Sequence, residues 1–247
     1  EINKESNSII GYTNENLTNL GHNFLGYNEQ LSEFNVPNVT SIGAFCLANN
    51  KELKKFEAPN VTCIGTFCLA NNKELKKFEA PNLTEIGDNF LGDNKQLSKI
   101  NVPNVTSIGT FCLANNKELK KFEAPNLTEI GDNFLRMNTK LSEFNVPNVT
   151  CIGNRVLENN KELKKFEAPN AEKIGYYFLR KNTQLSEFYV PNLSKESKEN
   201  LEYVFSVVKE NSKEGKTQNI DSTDIAKLDK KYNITTSEIE RSRKDVI

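Results

Sequence analysis

The sequence predicts an α/β solenoid. It reads as 22-residue coils stacked on a parallel sheet, with short helical or 3₁₀ turns in each coil and helices at the C-terminal end. Three columns carry this prediction. Pro37, Pro59, Pro81, Pro103, Pro125, Pro147, Pro169 and Pro191 are all 8 prolines of the chain, and Asn follows each. Gly21, Gly43, Gly65, Gly87, Gly109, Gly131, Gly153 and Gly175 keep the same step. So do Asn28, Asn50, Asn72, Asn94, Asn116, Asn138, Asn160 and Asn182. A fixed period of about 20–50 residues marks units that bury their apolar faces only against one another.

One coil, Leu53 to Glu74, illustrates the elements in order. Leu53 to Ala58 ends in period-2 alternation, a short strand with one buried face. Pro59 stops it, because proline cannot donate to a central ladder. Asn60 opens a turn by bonding nearby backbone. Val61 and Ile64, three apart, fit a tight helical or 3₁₀ turn. Gly65 answers either a positive φ or a close backbone approach. Cys68 and Leu69 return to the core, and Asn72 turns the chain toward the next coil. Neighbouring strands should pair in parallel about 4.8 Å apart. The repeated Asn side chains would satisfy backbone groups left open at the bends.

Residues 1–8 read as an N-terminal extension and 9–193 as the solenoid. Its first coil, 9–30, is degenerate but still matches at Ile9, Tyr12, Leu17, Leu20, Gly21, Phe24 and Leu25. Leu201, Val204, Phe205 and Val208 then follow i, i+3, i+4, i+7 spacing. Residues 194–211 should therefore be an amphipathic helix lying on the last coil, with Ser194 as its cap. Residues 212–247 read as a linker and short helical tail, with helices over about 222–231 and 236–245 and a capping box at Thr235 and Glu238. The tail has the superficial outline of a helix-turn-helix, but its basic residues are nearly balanced by acidic ones.

Composition excludes several functions. The 247 residues carry 32 basic and 33 acidic side chains, a net charge of −1, so no whole-chain grip on nucleic acid or an anionic membrane is expected. No stretch approaches the ~20 apolar residues that span a bilayer. No signal peptide is visible, although a chain beginning at Glu1 is compatible with a removed leader. The 5 cysteines are an odd number and form no disulfide framework. Cys46, Cys68 and Cys112 share a column with Phe and Val and should act as small buried hydrophobes. Cys63 and Cys151 share a column with Ser, Glu and Lys and should face solvent, which suits a reducing setting.

The chemistry of catalysis is not legible anywhere. The single His, His22, lies in a Gly-His-Asn turn and reads as a surface residue. There is no phosphate-cradling Gly loop, no H-E-x-x-H and no paired-Cys zinc spacing. Cys63 and Cys68 form a lone C-x₄-C. No catalytic residue, cofactor or metal is expected, and the protein is not expected to be an enzyme.

The pattern L-x-x-F-x-[VA]-P-N-[VL]-T-x-I-G-x-x-[FC]-L-x-x-N-x-x resembles the leucine-rich repeats of BspA-like, Treponema-type proteins. The strand followed by Pro, the Ile-Gly pair and an apolar pair such as Phe90-Leu91 carry the likeness. It departs at Leu47 and its equivalents, where Phe is usual, and at Asn50 and its equivalents, where Cys is common. The resemblance implies a parallel-stranded solenoid and a ligand-binding or adhesive role, often at the cell surface. The exposed thiols and the lack of a visible leader point instead to the cytoplasm.

Two repeat flavours nearly alternate. K-E-L-K-K-F-E-A-P opens at Lys51, Lys73, Lys117 and Lys161, and variants of Q-L-S-E-F-N-V-P at Gln30, Gln96, Lys140 and Gln184. The outward strand positions form the candidate binding face: Lys55, Glu57, Lys77, Glu79, Lys99, Lys121, Glu123 and Tyr189. The Glu column should largely neutralise the Lys stripe. The expected function is non-catalytic binding of a protein partner through the solenoid surface. The alternative is an intracellular scaffold whose helical tail carries recognition. A monomer is the expected state, with no nucleic acid partner and no membrane span.

Overall fold

The computed structural model describes residues 2–3 and 8–213. The linker and helices predicted over 214–247 lie outside the described residues. The coils stack as a parallel β-solenoid with the apolar columns inside. Leu53, Phe56, Ala58, Val61, Ile64, Cys68 and Leu69 are all buried, and their equivalents repeat from coil to coil. Phe34, Phe56 and Phe78 stack in one column with ring centroids 5.7 and 5.8 Å apart. A second column meets the first edge-on, as where Phe78 touches Phe90 at 5.0 Å.

Each coil contributes two strands. The longer strands, such as Lys55–Glu57, present one inward Phe between two outward polar residues. The shorter ones, such as Cys63–Ile64, build a continuous 8-stranded parallel sheet from Asn19–Leu20 to Lys173–Ile174. The second sheet corrects the expected tight turn at Val61 and Ile64. Both side chains do point inward, but a corner and a strand achieve the three-residue spacing. The main chain there bonds between coils instead of along itself: Thr62 N donates to Thr40 O at 2.9 Å and Gly65 N to Ile42 O at 2.8 Å.

The third side of the coil is also not helical or 3₁₀. Every second residue there has a positive φ, as at Phe67 (58°), Leu69 (55°) and Asn71 (58°). Left-handed conformation costs an L-residue about 1–2 kcal/mol. It persists here because it turns successive N–H groups alternately up and down the stack. Phe67 N reaches Asp88 O in the next coil, Leu69 N reaches Cys46 O in the previous one, and Asn71 N reaches Gly92 O in the next. A helical turn would leave those inter-coil groups unpaired in a buried stack.

Asparagine braces the coils in two places. The buried Asn94 donates from Nδ2 to Leu69 O (2.9 Å), and its Oδ1 accepts from Asn72 N (2.9 Å). From Asn60 onward the Asn after each proline, expected to bond locally, instead donates from Nδ2 to the proline carbonyl 23 residues earlier, as Asn82 does to Pro59 O at 2.8 Å. The Gly column marks close approach. A Cβ on Gly131 would lie 2.6 Å from Gly109 C, with no positive φ involved.

The last coil is covered by α1 (Lys195–Glu199) and α2 (Glu202–Lys213). Ser194 caps α1, and Ser197 Oγ accepts from Ile174 N (3.0 Å) while Asn200 Nδ2 donates to Ile174 O (2.7 Å). Two side chains thus replace the missing next strand. Asn200 and Leu201 interrupt the helix expected over 194–211, and α2 continues through residues 212 and 213. Residues 2–3 and 8–9 form a small antiparallel pair at the other end.

Candidate functional site

The longer strands place the predicted binding residues in one row. Lys55, Lys77 and Lys99 lie in register, as do Glu57 and Glu79. Three of these Lys meet the Glu two residues on in their own strands: Lys55–Glu57 at 2.7 Å, Lys77–Glu79 at 2.8 Å and Lys121–Glu123 at 3.0 Å. Cross-coil pairs join them, with Lys77–Glu57 at 3.7 Å and Lys99–Glu79 at 3.4 Å. The structure therefore brings Lys55, Glu57, Lys77, Glu79 and Lys99 into one chain of charges. Lys121 and Glu123 belong to a second chain that reaches Glu143 at 3.4 Å. Tyr189 stands at the far end of the row and is exposed.

Mutual pairing fixes the charge state of this face. The hydrogen bond from Lys77 holds the Glu79 carboxyl below its ordinary value, and Glu79 in turn raises the Lys77 ammonium. Lys121 is raised by Glu123 and Lys165 by Glu167. The groups are exposed or half-buried at the surface, so each pair contributes little to stability. The face is a ladder of alternating charge with fixed spacing.

The other singled-out residues have structural partners. His22 Nδ1 accepts from Ala44 N at 3.0 Å. Asp88 and Asp132 repeat the same brace, accepting from Thr110 N and Asn154 N at 2.7 Å. Cys46, Cys68 and Cys112 are buried, and Cys112 Sγ donates to Gly87 O at 3.0 Å. Burial pushes the Cys112 thiol up to about 12. Cys63 is exposed and Cys151 half-buried. Among the described residues no group of three or more His, Cys, Asp or Glu could hold a metal ion. No helix among them is long and apolar enough to cross a membrane.

The sequence reading missed the turn side. Phe45, Phe67 and Phe111 are 42%, 39% and 44% exposed in one column, and Tyr177 ends that column at 50%. Phe45 and Phe67 stack at 5.1 Å. In the last coils Arg155 and Arg180 both lie over the Tyr177 ring, at 5.2 and 5.1 Å from its centre. Column alignment could have found this: Phe and Tyr recur where other coils carry Asn, so the position is not an apolar core column. It sits beside the buried Cys68-Leu69 pair, which masks it in a local reading.

Comparison with known proteins agrees with this architecture. The family model described as BspA type Leucine rich repeat region matches residues 18–139 and 84–209, in 6 copies. The chain belongs to that leucine-rich repeat family. Among solved structures it is similar to a leucine-rich repeat protein from Bacteroides ovatus ATCC 8483, with 16% identity and a TM-score of 0.55 over 74% of this chain and 55% of that one. It is also similar to a leucine rich cell surface protein from Faecalibacterium prausnitzii A2-165, with 21% identity and a TM-score of 0.54 over 76% of this chain and 51% of that one. At such identities the likeness is one of fold. This chain spans about half the length of each of these two structures. No curated protein matches it in sequence.

Proposed function

We propose that this is a non-catalytic repeat protein that binds a protein partner through its solenoid surface. The observation that carries the reading is the rigid, repeated display of side chains on a coil stack whose polar groups are engaged coil to coil. A reaction centre needs groups converging on one reacting atom, whereas here Lys and Glu side chains are laid out in rows. The strand face of Lys55, Glu57, Lys77, Glu79, Lys99, Lys121, Glu123 and Tyr189 is the candidate contact surface named from sequence.

The test is affinity capture with three proteins: the full chain, a chain ending at Lys213, and the charge-reversed K55E/K77E/K99E/K121E. A partner held by the first two and lost by the third supports the strand face. Loss on removal of 214–247 alone would move recognition to the tail. Turnover of a substrate with no retained partner would overturn the binding reading.

A further inference from the structure

We propose that the turn side of the last two coils is a docking site for a short acidic peptide segment, recognised by Arg155 and Arg180 with Tyr176, Tyr177 and Lys181. This rests on the reading of the protein as a protein binder and gives it a place and a partner chemistry.

The first observation is uncompensated charge. Of the three arginines among the described residues, Arg136 meets the buried Glu158 at 2.8 Å. Arg155 and Arg180 form no ion pair among the described residues. What they share is the Tyr177 ring. Stacking on an aromatic face holds a guanidinium in place while leaving its five N–H donors in a fork that suits a carboxylate. Arg155 is exposed, and Tyr176 and Tyr177 are 61% and 50% exposed beside it.

The second observation is an open row of backbone donors. Arg155 N donates to Tyr176 O at 2.8 Å, and Asn159 N to Arg180 O at 2.7 Å. Tyr177 and Lys181 hold the same positions in the last coil, with the same positive φ of 60° and 66°. Their N–H groups have no such acceptor among the described residues, because no further coil follows. The Tyr177 backbone donor and the two guanidinium groups thus gather around one residue.

Charge pattern and size select the partner. Asp88 and Asp93 are exposed on the same side of an earlier coil, and Asp132 follows. A long polyanion laid along the stack would run into them. Two coils span roughly 10 Å, which an extended peptide covers with about three residues. Exposed Tyr and Arg together are also the residues that dominate peptide and protein contacts.

The experiment is selection of random heptapeptides displayed on phage against the full chain, repeated with R155Q/R180Q. Enriched peptides should carry an excess of Asp and Glu. A synthetic copy should bind the double variant at least tenfold more weakly, and added salt should weaken its binding to the full chain. R155K/R180K keeps both charges but loses the forks, and should weaken binding at least threefold; it decides the matter should the Gln variant fail to fold. No enriched peptide, no acidic excess, or equal binding to the variants would overturn the proposal. Peptides bound elsewhere would overturn this site while leaving the wider binding reading intact. Tighter capture of a 12-nucleotide single-stranded DNA would overturn the peptide assignment.

Discussion

Asn94 shows how one residue type holds this fold. It is fully buried, yet both ends of its amide are bonded to the preceding coil. Asn94→Leu would leave Asn72 N and Leu69 O unpaired, at about 1–3 kcal/mol for each buried group. Denaturant unfolding should therefore show a loss of about 2–5 kcal/mol, against under about 1 kcal/mol for Asn28→Leu. Asn28 is half-buried, and among the described residues its side chain bonds only Gly26 O. The charged face behaves differently. The Glu79 carboxyl lies below its unfolded value, so its contribution is complete above the ordinary carboxylate range and is lost as pH falls through the depressed value. Lys77 lies above its unfolded value, so its contribution is complete at lower pH and is lost as pH rises through the raised value. Urea midpoints should form a plateau that falls gently at both edges, and Lys77→Gln should flatten both falls.

At the scale of the strand and the turn, the two repeat flavours acquire a structural meaning. Ala58, Ala80, Ala124 and Ala168 each donate their N–H to the next coil. The Val of the other flavour does not, and the longer strands split into separate sheets after Asn35, Asn101 and Asn145. The breaks coincide with the bulkier Val36, Val102 and Val146, where the paired coils carry Ala. Hydrogen exchange should find the four Ala amides protected and those three Val amides faster. Glycine gives a sharper contrast. Gly131→Ala would force a Cβ against the backbone of the coil below, with a loss of about 1–3 kcal/mol. Gly21→Ala meets nothing within 4 Å and should be near neutral in thermal melts.

The inward columns at Leu53, Phe56 and Val61 were legible because a fixed period exposes burial directly. The turn at Phe67, Leu69 and Asn71 was not, since local propensity favours right-handed backbone and the compensating bonds come from residues about a coil away. The same reason hid the bond from Asn82 to Pro59. Of the candidate site, the sequence placed the Lys and Glu columns side by side and implied their pairing. It did not reveal the Arg155–Tyr177–Arg180 cluster, because Arg155 and Arg180 belong to different columns and converge only through stacking.

The whole molecule is a one-dimensional stack, so its stability resides in coil-to-coil interfaces and its ends need covering. Ser197 and Asn200 close the last strand edge, and Leu201, Val204 and Val208 bury against the coil beneath. A chain ending at Leu193 should expose that edge and self-associate, measurable as a rise in mass by light scattering. The central claim is that each 22-residue unit is interchangeable because register is set between coils. The most direct test is deletion of residues 73–94, which joins Asn72 to Lys95 and keeps every column in step. The shortened chain should unfold in a single transition with a smaller denaturant dependence and an unchanged far-ultraviolet spectrum. A chain that fails to fold, or that melts in two separate steps, would contradict it.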